Sequence, residues 1–201
     1  MKSVVLIFLA LVAVAVCSVA ASASVIDSST STVTYEGFTS TEYAIAGFAN
    51  PTGTTYQVTN GGWVGPIGTS VWVSYSPTGG SCSSCATGTY QYLLNAFSSA
   101  AGESASLTVL ADDTTAIYVN GHLLVGEPDP TDYTNEMTYL IPASDLMATG
   151  NIITFDVTNT GGPTGLDFEL TTNEGPEPSS IWLLATGMAG AVAVVRRRIR
   201  G

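Results

Sequence analysis

One histidine, three cysteines and sixteen carboxylates are the side chains of this 201-residue sequence with which acid–base, nucleophilic or metal chemistry could be done. His122 stands alone, so histidine-based metal sites are excluded by count, and a serine triad has neither a choice of base nor a G-x-S-x-G elbow. It follows an Asn-Gly turn, where an exposed ring is expected. Glycoside hydrolysis needs only two carboxylates, and Asp112 with Glu127 or Asp167 with Glu169 would supply them. No rule selects one pair among so many acids, and the expectation is a protein with no catalytic residue. Cys82-Ser83-Ser84-Cys85 has the C-x-x-C spacing of redox enzymes, in which the first cysteine opens a helix that lowers its pKa. Here Gly79-Gly80 precedes, Gly88 follows and no helix-forming run is in view. The pair reads instead as a small disulfide stapling a surface loop, closing so short a ring that it stabilises little. Calcium is the ion best matched to the remaining acids. Glu127, Asp129 and Asp132 share a loop, Asp112 and Asp113 occupy a nearby turn, and Ca²⁺ takes hard oxygen ligands from loops. The spacing is not that of an EF-hand, so solvated turn residues are the competing reading, and no other cofactor is implied.

The aromatics Trp63, Trp72, Tyr75, Tyr90, Tyr92 and Tyr118 could stack on sugar rings, but on alternating strands such residues more often fill a core. Trp72 and Tyr118 are expected inside, and Trp63, beside Gly61-Gly62 and Pro66, exposed.

The elements that must position these groups are short and β-type. Tyr56 to Thr59, Ser70 to Tyr75, Tyr90 to Ala96, Ala105 to Leu110, Ile152 to Thr158 and Leu166 to Leu170 are runs of apolar, aromatic or β-branched residues separated by Gly, Pro and Asn turns. Asn120-Gly121 between Ala116–Val119 and His122–Val125 is the strongest local mark, because both residues tolerate the positive φ of a type I′ hairpin turn. Asp112 to Thr115 gives a second tight turn, and the two together predict a three-strand meander from Ala105 to Val125. Glu127 to Asn135 reads as an acidic loop, and Pro142 to Ala148 as one helical turn. Seven or eight such strands predict an all-β domain, an antiparallel β-sandwich or jelly roll, over residues 35–172. Residues 24–34, rich in Ser and Thr, read as a ragged lead-in.

Charge is distributed in an unusual way. All five Lys and Arg residues lie in Lys2 or in Arg196, Arg197, Arg198 and Arg200, and of the sixteen acids only Glu177 lies outside Ser24 to Gly175. The region between the ends therefore has no Lys or Arg, no internal salt bridge is expected there, and its surface is negative. Binding to nucleic acid or anionic lipid through it is excluded on electrostatic grounds, while divalent cations, neutral sugars and cationic partners remain open.

Both ends are apolar. Lys2, the run Val4 to Val16 and the A-x-A site Ala21-Ser22-Ala23 make a three-part secretory signal peptide over residues 1–23. Cys17 follows the bulky Val16 and is not read as a lipidation site. At the other end, Gly175 and Pro176-Glu177-Pro178 form a linker, 173–178. Ser179 to Val195 follows as an apolar segment about 25 Å long if helical, within the range of short transmembrane spans. Residues 196–201 are arginine-rich, which marks the cytoplasmic side and places everything before the segment outside.

Pro176-Glu177-Pro178-Ser179-Ser180, the apolar run with Gly187 and Gly190, and the terminal arginines, in that order, resemble the PEP-CTERM sorting signal. The resemblance covers about an eighth of the chain. It implies recognition and cleavage near the motif by the membrane protease exosortase, passage through an inner-membrane intermediate, and arrival at the cell surface or in the polysaccharide matrix of a Gram-negative-type bacterium. A plain tail anchor needs no Pro-Glu-Pro, a GPI signal does not end in arginines, and Leu183 to Gly187 lacks the proline of a sortase box. A softer resemblance, carried by Leu107 to Asp113 with Ile117 to Gly121 and by Asn151 to Leu166, is to galactose-binding-like jelly rolls. What the sequence implies in sum is an exported, non-catalytic surface or matrix protein, with a carbohydrate-binding module and then a glycoside-active enzyme as alternatives.

Overall fold

The computed structural model describes residues 22–39, 53–83, 85–127 and 132–174. Its described part, from Ala23 to Asn173, is a two-layer antiparallel sandwich. One sheet holds β3 (Tyr56–Gln57), β4 (Val73–Ser74), β11 (Gly165–Glu174), β6 (Ala105–Asp112) and β9 (Met137–Ile141) in that order, with β1 (Ser22–Asp27) also paired to β11. The facing sheet runs β2 (Val33–Thr39), β5 (Gly88–Phe97), β10 (Asn151–Asn159), β7 (Thr114–Val119) and β8 (His122–Val125). The expected fold class is thus the observed one, and the single helical turn expected near Pro142 is a 3-10 turn at Ala143–Asp145.

Period-two alternation puts Tyr90, Tyr92 and Leu94, Ile153, Phe155 and Val157, and Ile117 and Val119 on one inner face. Leu107, Val109 and Ala111, with Leu166, Phe168 and Leu170, line the other. Phe155 and Phe168 meet across the layers at 4.9 Å and 18° between ring planes. At one margin of the core Tyr35, Tyr75, Tyr90 and Tyr92 pack ring to ring. Burial there holds the Tyr90 and Tyr92 hydroxyls well above the usual phenol range and pushes Tyr35 up to about 12, so none ionises at neutral pH.

Four expectations change. The Ser/Thr-rich lead-in is structural: β1 joins the first sheet, and the buried Ser28 hydroxyl donates to the Val71 carbonyl at 2.8 Å and to Asp167 at 2.7 Å. These partners lie 43 and 139 residues away, a distance over which a local pattern carries no information. The sandwich consequently reaches back to Ala23, the last residue of the A-x-A site, rather than starting at residue 35. The meander is also corrected. Asn120 and Gly121, at φ 51° and 82°, do close the β7–β8 hairpin, but β6 and β7 belong to different sheets. Asp112 pairs with Gly165 of β11 whereas Thr114 pairs with Thr158 of β10, so the Asp112–Asp113 turn is a corner between layers. Tyr118 points outward and is half-buried, because Ile117 and Val119 take the inner face and an all-apolar run leaves the choice of face unspecified. Finally, β9 stands at Met137–Ile141, where the turn signals mark no strand. It covers β6 from Ala105 to Val109 and makes that strand internal.

The disulfide between Cys82 and Cys85 is present. It is more than a surface staple, since Cys85 is buried and accepts from the Tyr75 hydroxyl at 3.5 Å. The adjoining Gly79 and Gly80 are buried too, and a Cβ on Gly80 would lie 2.6 Å from the Thr59 carbonyl oxygen. Gly80→Ala must therefore displace backbone, and we expect a loss of about 2 kcal/mol in urea unfolding, as for other overpacked sites. A midpoint within error of wild type would refute it.

Candidate ligand-binding end

The loops at the Asp112 end of the sandwich bring together most of the side chains singled out from sequence. Residues 58–72 fold back over the outer face of the first sheet, so Val58, Ile67 and Trp72 form a second apolar cluster on Leu110. Trp63 joins it, 4.3 Å from Trp72 between ring centroids and tilted 31°. It is half-buried rather than exposed as expected. Gly165 makes this seat available, since a Cβ there would lie 2.7 Å from the Trp63 ring and 3.3 Å from Trp72. The Trp63 indole N–H donates to Asp112 Oδ2 at 2.7 Å, and Trp72 donates to the Val64 carbonyl at 3.2 Å.

Asp112 is 5% exposed. Burial pushes its carboxyl up to about 7, and the neighbouring Asp113 and Asp132 push in the same direction against the Trp63 donor. Asp113 accepts at 2.6 Å from both the amide and the hydroxyl of Thr160, which ties the interlayer corner to the β10–β11 turn. Asp132 is the centre of its own turn, accepting from the Thr134 and Asn135 amides at 2.6 and 2.7 Å and from both their side chains. Slight desolvation opposes these donors, yet they hold Asp132 below the usual carboxylate range. The same turn offers the Tyr133 carbonyl to the Val64 amide at 3.0 Å, clasping the two loops together. On the outside of the clasp, Tyr133 is 38% and Val64 44% exposed. The sequence does not single out Tyr133, because a tyrosine in an acidic, proline-containing loop gives no sign of what lies beside it.

Of the calcium candidates, Asp129 lies outside the described residues, Asp132 spends its oxygens on its own turn, and Glu127 accepts from Thr114 at 2.5 Å. Among the described residues no three His, Cys, Asp or Glu side chains form a group able to hold a metal ion. Of the four carboxylates in the candidate pairs, Asp112, Glu127 and Asp167 are hydrogen-bonded within the fold. Asp167 is buried and accepts from Ser28 and, at 3.0 Å, from the Ile67 amide, with desolvation holding its pKa above the carboxylate range despite these donors. His122 is exposed at the opposite end, 3.9 Å from Asp145, and forms an ion pair there when protonated, which amends the expectation of no internal salt bridge. A depression of about 400 Å³ beside β3, lined by Gln57, Val58, Thr59, Pro77, Gly80 and Ser81, contains no aromatic ring and no carboxylate.

If the Trp63–Asp112 bond anchors the loop, Trp63→Phe should lower the melting temperature by several degrees, most at pH 8, where the carboxylate loses its donor while charged. An unchanged melting temperature at pH 8 would show that the bond does not hold the loop.

The architecture is that of an all-β sandwich domain followed directly by a C-terminal signal. Residues 176–198 match the PEP-CTERM protein-sorting motif, so the chain carries that export signal and belongs at the cell surface or outside the cell. No curated protein matches the sequence. Among solved structures, the CBM35 from Paenibacillus barcinonensis aligns with 75% of this chain and 99% of its own, at 13% identity and a TM-score of 0.43. Pro176, Glu177, Pro178, the segment 179–195, Arg196, Arg197, Arg198, Arg200 and, at the other end, residues 1–21 with Ala21 of the expected cleavage site lie outside the described residues. No helix among the described residues is long and apolar enough to cross a membrane.

Proposed function

We propose that the protein is a non-catalytic component of the cell surface or extracellular matrix, exported through its signal peptide and then processed by exosortase at Pro176-Glu177-Pro178. The sorting motif at residues 176–198 is the observation that carries this reading. Support also comes from the acids: Asp112, Glu127 and Asp167 each hold a loop or strand of the fold in place through a hydrogen bond, which gives them a structural role. The arginine-rich end would hold the tail with the motif just outside the membrane until cleavage. Intact mass of the protein from membranes and from medium tests the proposal. Material from the medium should lack residues 1–23 and end near Pro178, whereas an intact C-terminus in every fraction would leave the tail as a plain anchor.

A second reading, carbohydrate binding, is favoured by one observation: Tyr133 exposes its ring beside Val64, on a clasp fixed by Asp132 and by the Trp63–Asp112 bond. A partly exposed aromatic ring on a hydrogen-bonded turn is what stacking on a neutral sugar requires. We expect Tyr133→Ala to weaken retention on extracellular polysaccharide at least tenfold in affinity electrophoresis. Equal retention of variant and wild type would remove this reading.

A further inference from the structure

Residues 61–66 form a flap over Asp112, anchored at both ends. On one side Asn60 donates to the Gly80 carbonyl at 2.6 Å, and on the other the Ile67 amide donates to Asp167 at 3.0 Å. Between these anchors Gly61 and Gly65 stand in open space, with nothing within 4 Å of an added Cβ. The middle is held from three directions. Trp63 gives its indole N–H to Asp112, the Val64 amide donates to the Tyr133 carbonyl at 3.0 Å, and Trp72 donates to the Val64 carbonyl. The Trp63 ring lies over Gly165, the residue that pairs with Asp112 across the sheet, so the flap covers this carboxyl.

The charge around Asp112 is of one sign. Asp113 adjoins it on the interlayer corner, its own carboxylate fixed by Thr160, and Asp132 stands in the turn that carries Tyr133. From β11 and the turn before it, Gly165 pairs with Asp112 and the Thr164 hydroxyl donates to the Asp112 carbonyl at 3.0 Å. No Lys or Arg lies between Ser24 and Gly175, and His122 stands at the opposite end beside Asp145. Under the closed flap, burial above all and then the two neighbouring acids raise the Asp112 carboxyl from 3.8 to about 7, against the Trp63 donor. Lifting the flap hydrates the carboxyl and returns it towards its ordinary value. Opening is therefore linked to loss of a proton, and it becomes easier as pH rises from about 4 to about 7 before levelling off.

We propose that residues 61–66 are a pH-operated flap, closed over Asp112 in acid and released towards alkaline pH together with the Val64–Tyr133 bond, while the sandwich stays folded. The effect is local and distinct from a loss of overall stability, because the anchors at Asn60 and Ile67 remain when the middle lifts. It belongs to the loops themselves and does not depend on what Tyr133 meets.

Hydrogen exchange of the full chain in neutral detergent micelles tests the flap, read as protection factors so that the intrinsic pH dependence of exchange cancels. Residues 60–67 should lose protection at least about tenfold between pH 5 and pH 8. Their exchange should be faster than that of residues 152–158 in β10 and should not respond to 1 M urea, as expected of a local opening. Asp112→Asn keeps an acceptor for Trp63 without a charge and should remove the pH dependence. If that variant does not fold, Asp113→Asn, which takes away the nearest like charge, should reduce the dependence at least twofold. Protection that is flat from pH 5 to 8, or that falls as far in the folded variant as in wild type, would overturn the flap. Exchange that rises with urea in step with β10 would also overturn it and leave a change in overall stability in its place.

Discussion

Full-length protein in which Pro176, Glu177 and Pro178 are all alanine is expected to stay in the membrane fraction of the native host, with its C-terminus uncut and the processed form missing from the medium. The reason is conformational as well as chemical. Proline cannot continue a helix and biases its predecessor to extended backbone, so two prolines flanking one acid keep three residues open to a protease beside an apolar segment. Alanines would let helix propagate upstream from Ser179 and remove both the extended backbone and the charge. The last described strand, β11, ends at Glu174, so only Gly175 stands between the sandwich and the motif. Intact mass separates the outcomes. Loss of cleavage supports exosortase processing, whereas continued release of a product ending near Pro178 would mean that another determinant directs the cut. Glu177→Gln alone distinguishes charge from backbone, because it leaves both prolines in place.

The second large effect is expected at Asp112. Its folded-state pKa of about 7 lies above the ordinary value of 3.8, so the folded protein holds a proton that the unfolded chain has already released. The associated stability is complete below the unfolded pKa and is lost as pH rises through about 7. Wild-type protein should therefore melt lower at pH 8 than at pH 5. Asp112→Asn keeps an oxygen to accept the Trp63 N–H but has no charge to bury. It should gain on the order of 2 kcal/mol at pH 8, or about 4–8 °C in melting temperature for a domain of this size, and lose much of the pH dependence. Some dependence of the same sign should survive, because burial raises Asp167 as well. Asp132, whose pKa is lowered, acts in the opposite sense and only in acid, where protonation releases its turn. A wild-type melting temperature that is flat from pH 5 to 8, or an Asp112→Asn protein less stable than wild type at pH 8, would show that the carboxylate is stabilised in its charged form.

Local chemistry determined a definite part of this protein. The order of Pro-Glu-Pro, apolar run and arginines is a linear signal and is legible without a fold. The Asn120-Gly121 hairpin is equally local, because positive φ at two successive residues is a property of those residues. The C-x-x-C disulfide and the all-β class follow in the same way from short-range spacing and period-two alternation. The absence of Lys and Arg between the ends is composition alone.

Tertiary structure decided what depends on partners far apart in the chain. Whether Asp112–Asp113 turns within a sheet or crosses between sheets is set by the partners of β6 and β7, namely Gly165 and Thr158, and no turn residue encodes them. Trp63 became half-buried because Gly165, some hundred residues later, leaves room for an indole beside Asp112. Tyr133 is joined to the 58–72 loop by the bond between the Val64 amide and its own carbonyl, a pairing across some seventy residues. Ser28, in a stretch that reads as a ragged leader, became a buried donor to Asp167. In each case the decisive term is a contact whose two halves are unremarkable alone. A short strand has many partners open to it by pattern, and burial against one of them selects the register and the face.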